Sequence, residues 1–297
     1  MIKGIIFDLD GTLVNSLEDL HTAVNRMLSY FEFGERTIEE SRAAINKGTE
    51  VFVSRSLPDE VQNLSFIKRS AIKEYEKQYG LCYLDKTAPY ENIEALLMNL
   101  KQRGIKLSVL SNKKDKFVKD IVSKLFDKKD FIVIQGQEKL PLKPNSSATA
   151  AIIKKMGVKP SQCLIVGDSD VDMQTGFNAN IRSVGVCWGY REKEVLENAG
   201  ATFIIEKPEE LCEIVDYLKN ESVKRKKNKN KDEVVYSTEN CPFFNQKLLG
   251  TAQFSTVNGD TAIEQNSKSS KTKDKHGKKT KKGTKQPLIK KTKKTDG

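Results

Sequence analysis

Two carboxylates at the end of a buried apolar run constrain this chain more than any other feature. Gly4-Ile5-Ile6-Phe7 reads as a buried strand, and Asp8-Leu9-Asp10-Gly11-Thr12 follows it directly. Side chains two apart on a strand point to one face. If the strand geometry holds through Leu9, Asp8 and Asp10 project together and Leu9 points away. Gly11 then lets the backbone leave the strand sharply. Two aspartates side by side in an apolar surround repel each other. The arrangement is sensible where a divalent cation sits between them, or where they divide nucleophilic and acid–base work. A turn or a helix cap is the plain alternative for a lone Asp-x-Asp.

The pattern after this strand falls into three parts. Residues 17–33 read as a helix, with Ser16 as its N-cap and Asp19 in the capping-box position. Helical patterning continues over 38–45, 50–56 and 59–79. From Tyr90 a regular alternation begins. Helices are predicted over 91–103, 115–126, 146–156, 170–178, 193–199 and 209–218, and strands over 105–110, 131–134, 163–166, 183–187 and 202–205. Near-continuous apolar strands alternating with helices predict a doubly wound α/β fold, a parallel sheet covered on both faces. The expected organisation is an α/β core of residues 1–15 and 87–218, with a small helical cap, residues 16–86, inserted after the first strand. Residues 219–297 form a basic, mostly disordered tail. Within it Cys241-Pro242-Phe243-Phe244 is apolar but too small for a core of its own.

Charge divides the chain the same way. The whole carries +11, but residues 221–297 hold 20 Lys and Arg against 8 Asp and Glu. The remainder is close to neutral, so the net charge describes the tail alone. Residues 268–297 hold 13 lysines and 2 acids with no aromatic residue. Such a run is a solvated extension, or a non-specific contact to nucleic acid or an anionic surface through phosphate neutralisation. The five cysteines form no C-x-x-C pair, which suits a reduced, cytoplasmic protein. No signal-peptide pattern opens the chain, and no apolar stretch approaches a membrane span.

Three further motifs fall at predicted strand ends: Ser111-Asn112-Lys113, Lys143-Pro144 and Gly167-Asp168-Ser169-Asp170-Val171-Asp172. Strand ends of a parallel sheet open on one side, so these converge with Asp8 and Asp10. Carboxylates suit a hard cation such as Mg²⁺. A Ser hydroxyl and a Lys ammonium suit phosphate oxygens. Taken singly, Ser-Asn is a turn, Lys143 is solvated, and Asp170 caps a helix. A calcium loop fails at Asp168, because the glycine and glutamate positions hold Met173 and Ala179.

Together, and in this order, the motifs resemble those of the haloacid dehalogenase-like hydrolase superfamily, most closely its phosphoglycolate phosphatase-like branch. Pro89-Tyr90 and Ser183-Val184-Gly185-Val186-Cys187-Trp188-Gly189-Tyr190-Arg191 support it. The resemblance covers residues 1–218. It implies a Mg²⁺-dependent phosphatase of a small phosphorylated metabolite, phosphoglycolate first. Pyrophosphate, sugar phosphates and a phosphomutase are the alternatives, as is a nucleic-acid-associated binding protein acting through its tail. It implies that Asp8 is nucleophile and Mg²⁺ ligand. Asp10 protonates the leaving oxygen, then activates water, and binds Mg²⁺ through its main-chain carbonyl. Ser111, Asn112 and Lys143 hold the phosphoryl group, Asp168 ligates Mg²⁺, and Asp172 supports the metal site from behind. Residues 44–50 resemble the family's substrate loop, where Lys47 and Gly48 are candidates for reading the leaving group.

Overall fold

The computed structural model describes residues 1–227, 240–250, 253–257 and 260–264. Its centre is a six-stranded sheet of β1 (Gly4–Phe7), β4 (Lys106–Lys114), β5 (Phe131–Gln137), β6 (Cys163–Gly167), β7 (Arg182–Val186) and β8 (Phe203–Ile205). The strand order is β5-β4-β1-β6-β7-β8, and every pairing is parallel. The chain turns from one side of β1 to the other here, so the crevice beyond the end of β1 is the natural ligand position.

The period of two in β1 assigns its side chains to opposite faces. Ile5 and Phe7 join one core cluster, with Ile93, Leu97 and Leu100 of α5 (Ile93–Gln102) and Val118 and Ile121 of α6 (Asp115–Leu125). Ile6 joins the other, with Ile152, Ile153 and Met156 of α7 (Ser146–Met156). Burial on both faces is why these strands carry no polar alternation. Helix α7 stops at Gly157, which takes a left-handed φ of 64°.

Four helices, α1 (Leu17–Tyr30), α2 (Ile38–Ala44), α3 (Thr49–Ser56) and α4 (Ser65–Cys82), form the insertion after β1. They bury their own apolar cluster, including Val24, Met27, Phe52 and Tyr75. The core adds Phe117 and Tyr190 to that cluster. Two short strands absent from the sequence reading, β2 (Val14–Asn15) and β3 (Ala88–Pro89), pair antiparallel where the insertion leaves and rejoins the core.

Ser16 does not act as the expected N-cap. It makes no capping bond to α1, and its hydroxyl donates to Asp10 Oδ1 at 2.5 Å. Asp19, expected in a capping box, accepts instead from Lys86 N, Thr87 N and the Thr87 hydroxyl, the last at 2.6 Å. A buried carboxylate with several donors is well satisfied, and here it ties the outgoing and returning links together.

The C-terminal part also departs from expectation. Helix α10 (Glu210–Lys227) runs past residue 218. Cys241-Pro242-Phe243-Phe244 does build core, by completing an existing one. Phe244 bridges Phe203 of β8, and Ile204 N donates to Phe243 O at 2.8 Å. Cys241, Phe244 and Leu248 are buried in the core cluster. Asn245 holds the segment by donating Nδ2 to the carbonyls of Glu197 and Ala201. The sheet edge at β8 is thereby covered. Beyond it β9 (Gln253–Val257) and β10 (Asp260–Glu264) pair antiparallel. The lysine-rich stretch 268–297 lies outside the described residues. Helix α8 (Asp170–Asn178) follows β6, and α9 (Lys193–Asn198) lies between β7 and β8. Among the described residues no helix is long and apolar enough to cross a membrane.

Phe244→Ala is expected to cost about 3 kcal/mol, the usual loss for emptying a buried aromatic site. Urea unfolding measures it, and an unshifted midpoint would show that the segment is not docked.

Candidate active site

Four elements deliver charged side chains to the crevice at the end of β1. The strand ends at Phe7, and Asp8 folds back so that its Oδ1 accepts from Leu9 N at 2.7 Å. Lys143, on the loop after β5, reaches Asp8 Oδ1 at 2.8 Å and Asp172 Oδ1 at 2.7 Å. Asp168 follows β6, and Asp172 lies in the first turn of α8, where Ser169 caps the helix and donates its hydroxyl to Asp172 Oδ2 at 2.5 Å. Single carboxylate oxygens of Asp8, Asp168 and Asp172 all lie within 4.8 Å of one another, and all three residues are buried.

Glycines make this approach possible. A Cβ at Gly11 would fall 2.3 Å from Asp168 Oδ2, and Gly11 also takes a left-handed φ of 82°. A Cβ at Gly189 would fall 2.2 Å from Asp168 Cβ. Asp168 is thus enclosed on two sides by bare backbone. It accepts from Tyr190 N at 2.8 Å and, loosely, from the Thr12 hydroxyl at 3.5 Å.

Asp10 stands apart from this trio. Its Oδ1 accepts from Ser16 Oγ and from Lys113 Nζ at 2.6 Å. Lys113 is buried, and its ammonium sits 4.8 Å from the centre of the Tyr79 ring in α4. Tyr190 lies against the same group, its hydroxyl accepting from Ser16 N at 3.0 Å. Asp8 and Asp10 therefore face one crevice but keep separate cationic partners.

The electrostatics follow from the count. Four buried carboxylates, Asp8, Asp10, Asp168 and Asp172, share two buried ammonium groups, Lys113 and Lys143. Burial pushes the Asp8 carboxyl up to about 7, with Lys143 opposing and Asp172 adding to the rise. Asp168 is pushed up by burial and by the charges of Asp172 and Asp8. Burial would lower Lys143, but Asp172 and Asp8 outweigh it and push the ammonium up. Uncompensated negative charge in an apolar site is costly. The trio offers only hard oxygen donors, the set that Mg²⁺ takes, so these residues fit a divalent cation.

The expected site residues divide. Asp8, Asp10, Ser111, Lys143, Asp168 and Asp172 converge as the strand-end argument requires. Asn112 lies beside them, but both ends of its amide are engaged in holding backbone. Nδ2 donates to Lys143 O and Asn46 O, and Oδ1 accepts from Lys143 N at 2.8 Å. It positions the Lys143 loop and does not reach for phosphate. Lys47 is also a correction. Its ammonium lies 4.0 Å from Asp170 Oδ2, half exposed, and outside the cleft that Gly48 lines. Lys113, Ser16 and Tyr190 received no role in the site from the sequence. The available signal for Lys113 was its place in the Ser111-Asn112-Lys113 motif at the end of β4, where the pairing with β5 becomes irregular between Leu110 and Lys114.

The sequence profile of the haloacid dehalogenase-like hydrolase family matches residues 5–186. A phosphoglycolate phosphatase from Vibrio parahaemolyticus is 30% identical over 224 residues, covering 72% of this chain and 96% of its own length. One from Psychrobacter arcticus is 29% identical over 220 residues, covering 72% and 94%. The crystal structure of a predicted phosphoglycolate phosphatase from Haemophilus somnus is 27% identical. It covers 72% of this chain and 98% of its own, with a TM-score of 0.68. A β-phosphoglucomutase from Clostridium difficile, 21% identical with a TM-score of 0.63, shares the fold.

The raised carboxyls make stability depend on pH and metal together. Asp8 binds its proton more tightly folded than unfolded. Its contribution is full below about pH 4, the ordinary carboxyl range, and is lost as pH rises through about 7. A bound cation replaces the protons. Mg²⁺ is therefore expected to raise Tm more at pH 8 than at pH 5 in thermal unfolding. Equal shifts at the two pH values would contradict the charge balance described here.

Proposed function

Because the chain belongs to the haloacid dehalogenase-like hydrolase family, with phosphoglycolate phosphatases among its relatives, we propose that it is a Mg²⁺-dependent phosphatase of small phosphate monoesters, phosphoglycolate first. The observation that carries this reading is the buried trio Asp8, Asp168 and Asp172 beside an independently held Asp10.

Asp8 would hold the cation together with Asp168 and the main-chain carbonyl of Asp10. Bound there, the cation supplies positive charge for the phosphoryl oxygens and keeps its carboxylate ligands ionised. Lys143 adds a second positive charge beside the nucleophile. Asp8 Oδ1 is occupied by Leu9 N and Lys143. A carboxylate oxygen of Asp8 attacks phosphorus, and the bond from phosphorus to the ester oxygen breaks. Asp10 gives its proton to that oxygen, so the leaving group departs as a neutral alcohol. Asp10 Oδ1 is held by Ser16 and Lys113, which leaves Oδ2 for the proton. Water then attacks phosphorus of the aspartyl phosphate, Asp10 takes the water's proton, and the bond to Asp8 breaks to release phosphate. The division suits phosphoryl transfer, where positioning and charge stabilisation supply most of the acceleration. Asp172 keeps Lys143 in place, and Ser111, buried at the crevice, offers its hydroxyl to the phosphoryl group.

The test is phosphate release from phosphoglycolate with and without Mg²⁺. Activity should need the metal, and Asp8→Asn should lower kcat by about 1,000-fold or more, as removal of a nucleophile does. Parent-like rates in Asp8→Asn would eliminate the covalent mechanism.

A further inference from the structure

The cleft over Asp8 and Asp10 is lined by cap side chains, and its chemistry is one-sided. Leu20, Ile45, Phe52, Tyr75 and Phe117 give it an apolar wall. Among the described residues that line it, Lys113 is the only cation. The lining acid beyond the catalytic pair, Glu76, is paired with Lys114 at 2.5 Å. Three lining residues hold buried polar atoms with no hydrogen-bond partner: Glu76 Oε1, which has only its ion pair with Lys114, and the two donors Tyr79 Oη and Asn46 Nδ2. Tyr79 is 1% exposed. An ammonium, an amide nitrogen and a phenol can all donate hydrogen bonds. Buried donors of this kind cost free energy until an acceptor arrives.

Resting on the phosphatase reading, we infer that Lys113 determines specificity by binding a carboxylate on the leaving group, assisted by Tyr79 and Asn46. The substrate class is then the phosphate esters of small 2-hydroxy acids. Geometry ties the two ends of such a substrate together. The ester oxygen must lie at Asp10 to receive its proton, and Lys113 Nζ is 2.6 Å from Asp10 Oδ1. In a 2-hydroxy acid ester one carbon separates the ester oxygen from the carboxyl carbon. Ordinary bond lengths then put a carboxylate oxygen about 3 Å from the ester oxygen. A carboxylate so placed falls within reach of the same ammonium. Lys113 has three N–H donors. One reaches Asp10 and the ammonium also lies over the Tyr79 ring, so it can take a second anion without leaving the first. Lys47 cannot serve, since it stands outside the cleft beside Asp170.

The experiment compares phosphoglycolate with ethyl phosphate, which has a methyl group in place of the carboxylate. The full-length protein is assayed with Mg²⁺, and the quantity read is the ratio of the two kcat/KM values. The parent should favour phosphoglycolate. Lys113→Met and Lys113→Gln should cut that preference by about 10- to 100-fold, the range for a hydrogen bond to a charged group, while the lost or altered contact to Asp10 lowers both rates together and leaves the ratio as the readout. Gln keeps a donor for Asp10 and guards against misfolding of the Met variant. Tyr79→Phe should cut the preference several-fold without altering the shape of the wall. An equal fall for both substrates, with the ratio unchanged, would overturn the inference while leaving the phosphatase reading intact. A parent that hydrolyses neither ester in Mg²⁺ would overturn that reading, and the inference with it.

Discussion

Four carboxylates and two ammonium groups buried at one strand end are the constraint on which the site depends. Lys143 spans Asp8 and Asp172, and Lys113 holds Asp10. The arrangement keeps two aspartates, for which different tasks are proposed, from behaving as one repelling pair. It also leaves an excess of negative charge that water cannot screen. Much nearby architecture serves to hold this unfavourable set together. Bare backbone at Gly11 and Gly189 makes room for Asp168. The amide of Asn112 fixes the loop that carries Lys143. Strain and unpaired charge tolerated at one place are the usual mark of a functional site.

The cap is joined to that set through few residues. Ser16, where the chain passes from core to cap, donates to Asp10. Tyr190 accepts from Ser16 N with its hydroxyl and donates to Asp168 with its backbone. Its neighbour Arg191 donates to the carbonyls of Arg42, Ala43 and Ile45 at the end of α2, where a helix leaves its last carbonyls without partners. Asp19 clamps the returning link. Asp10, the candidate metal site and the cap therefore share one continuous hydrogen-bonded path.

The core and the convergence of motifs were legible because strand pattern and topology determine both. An apolar four-residue run followed by Asp8 and Asp10 identifies a central parallel strand, and parallel topology forces its neighbours' ends to the same edge. Residue roles set by local geometry were less legible. Asn112 and Lys113 are adjacent in sequence, yet one holds backbone and the other reaches Asp10. They lie where β4 departs from regular pairing with β5, between Leu110 and Lys114, so no simple alternation separates them. Ser16 and Asp19 carry a capping pattern, but tertiary partners 6 and 67 or 68 residues away claim their side chains. Cys241–Phe244 is too short to bury itself, and its fit to the edge of β8 is a long-range contact that no local pattern encodes.

The central claim is that Asp8 accepts the phosphoryl group next to a cation held by Asp8 and Asp168. A crystal structure with Mg²⁺ and fluoroberyllate tests it most directly. The account predicts beryllium bonded to an Asp8 carboxylate oxygen, with the cation between Asp8 and Asp168. A fluoroberyllate bound elsewhere, or a cation that contacts neither aspartate, would contradict it.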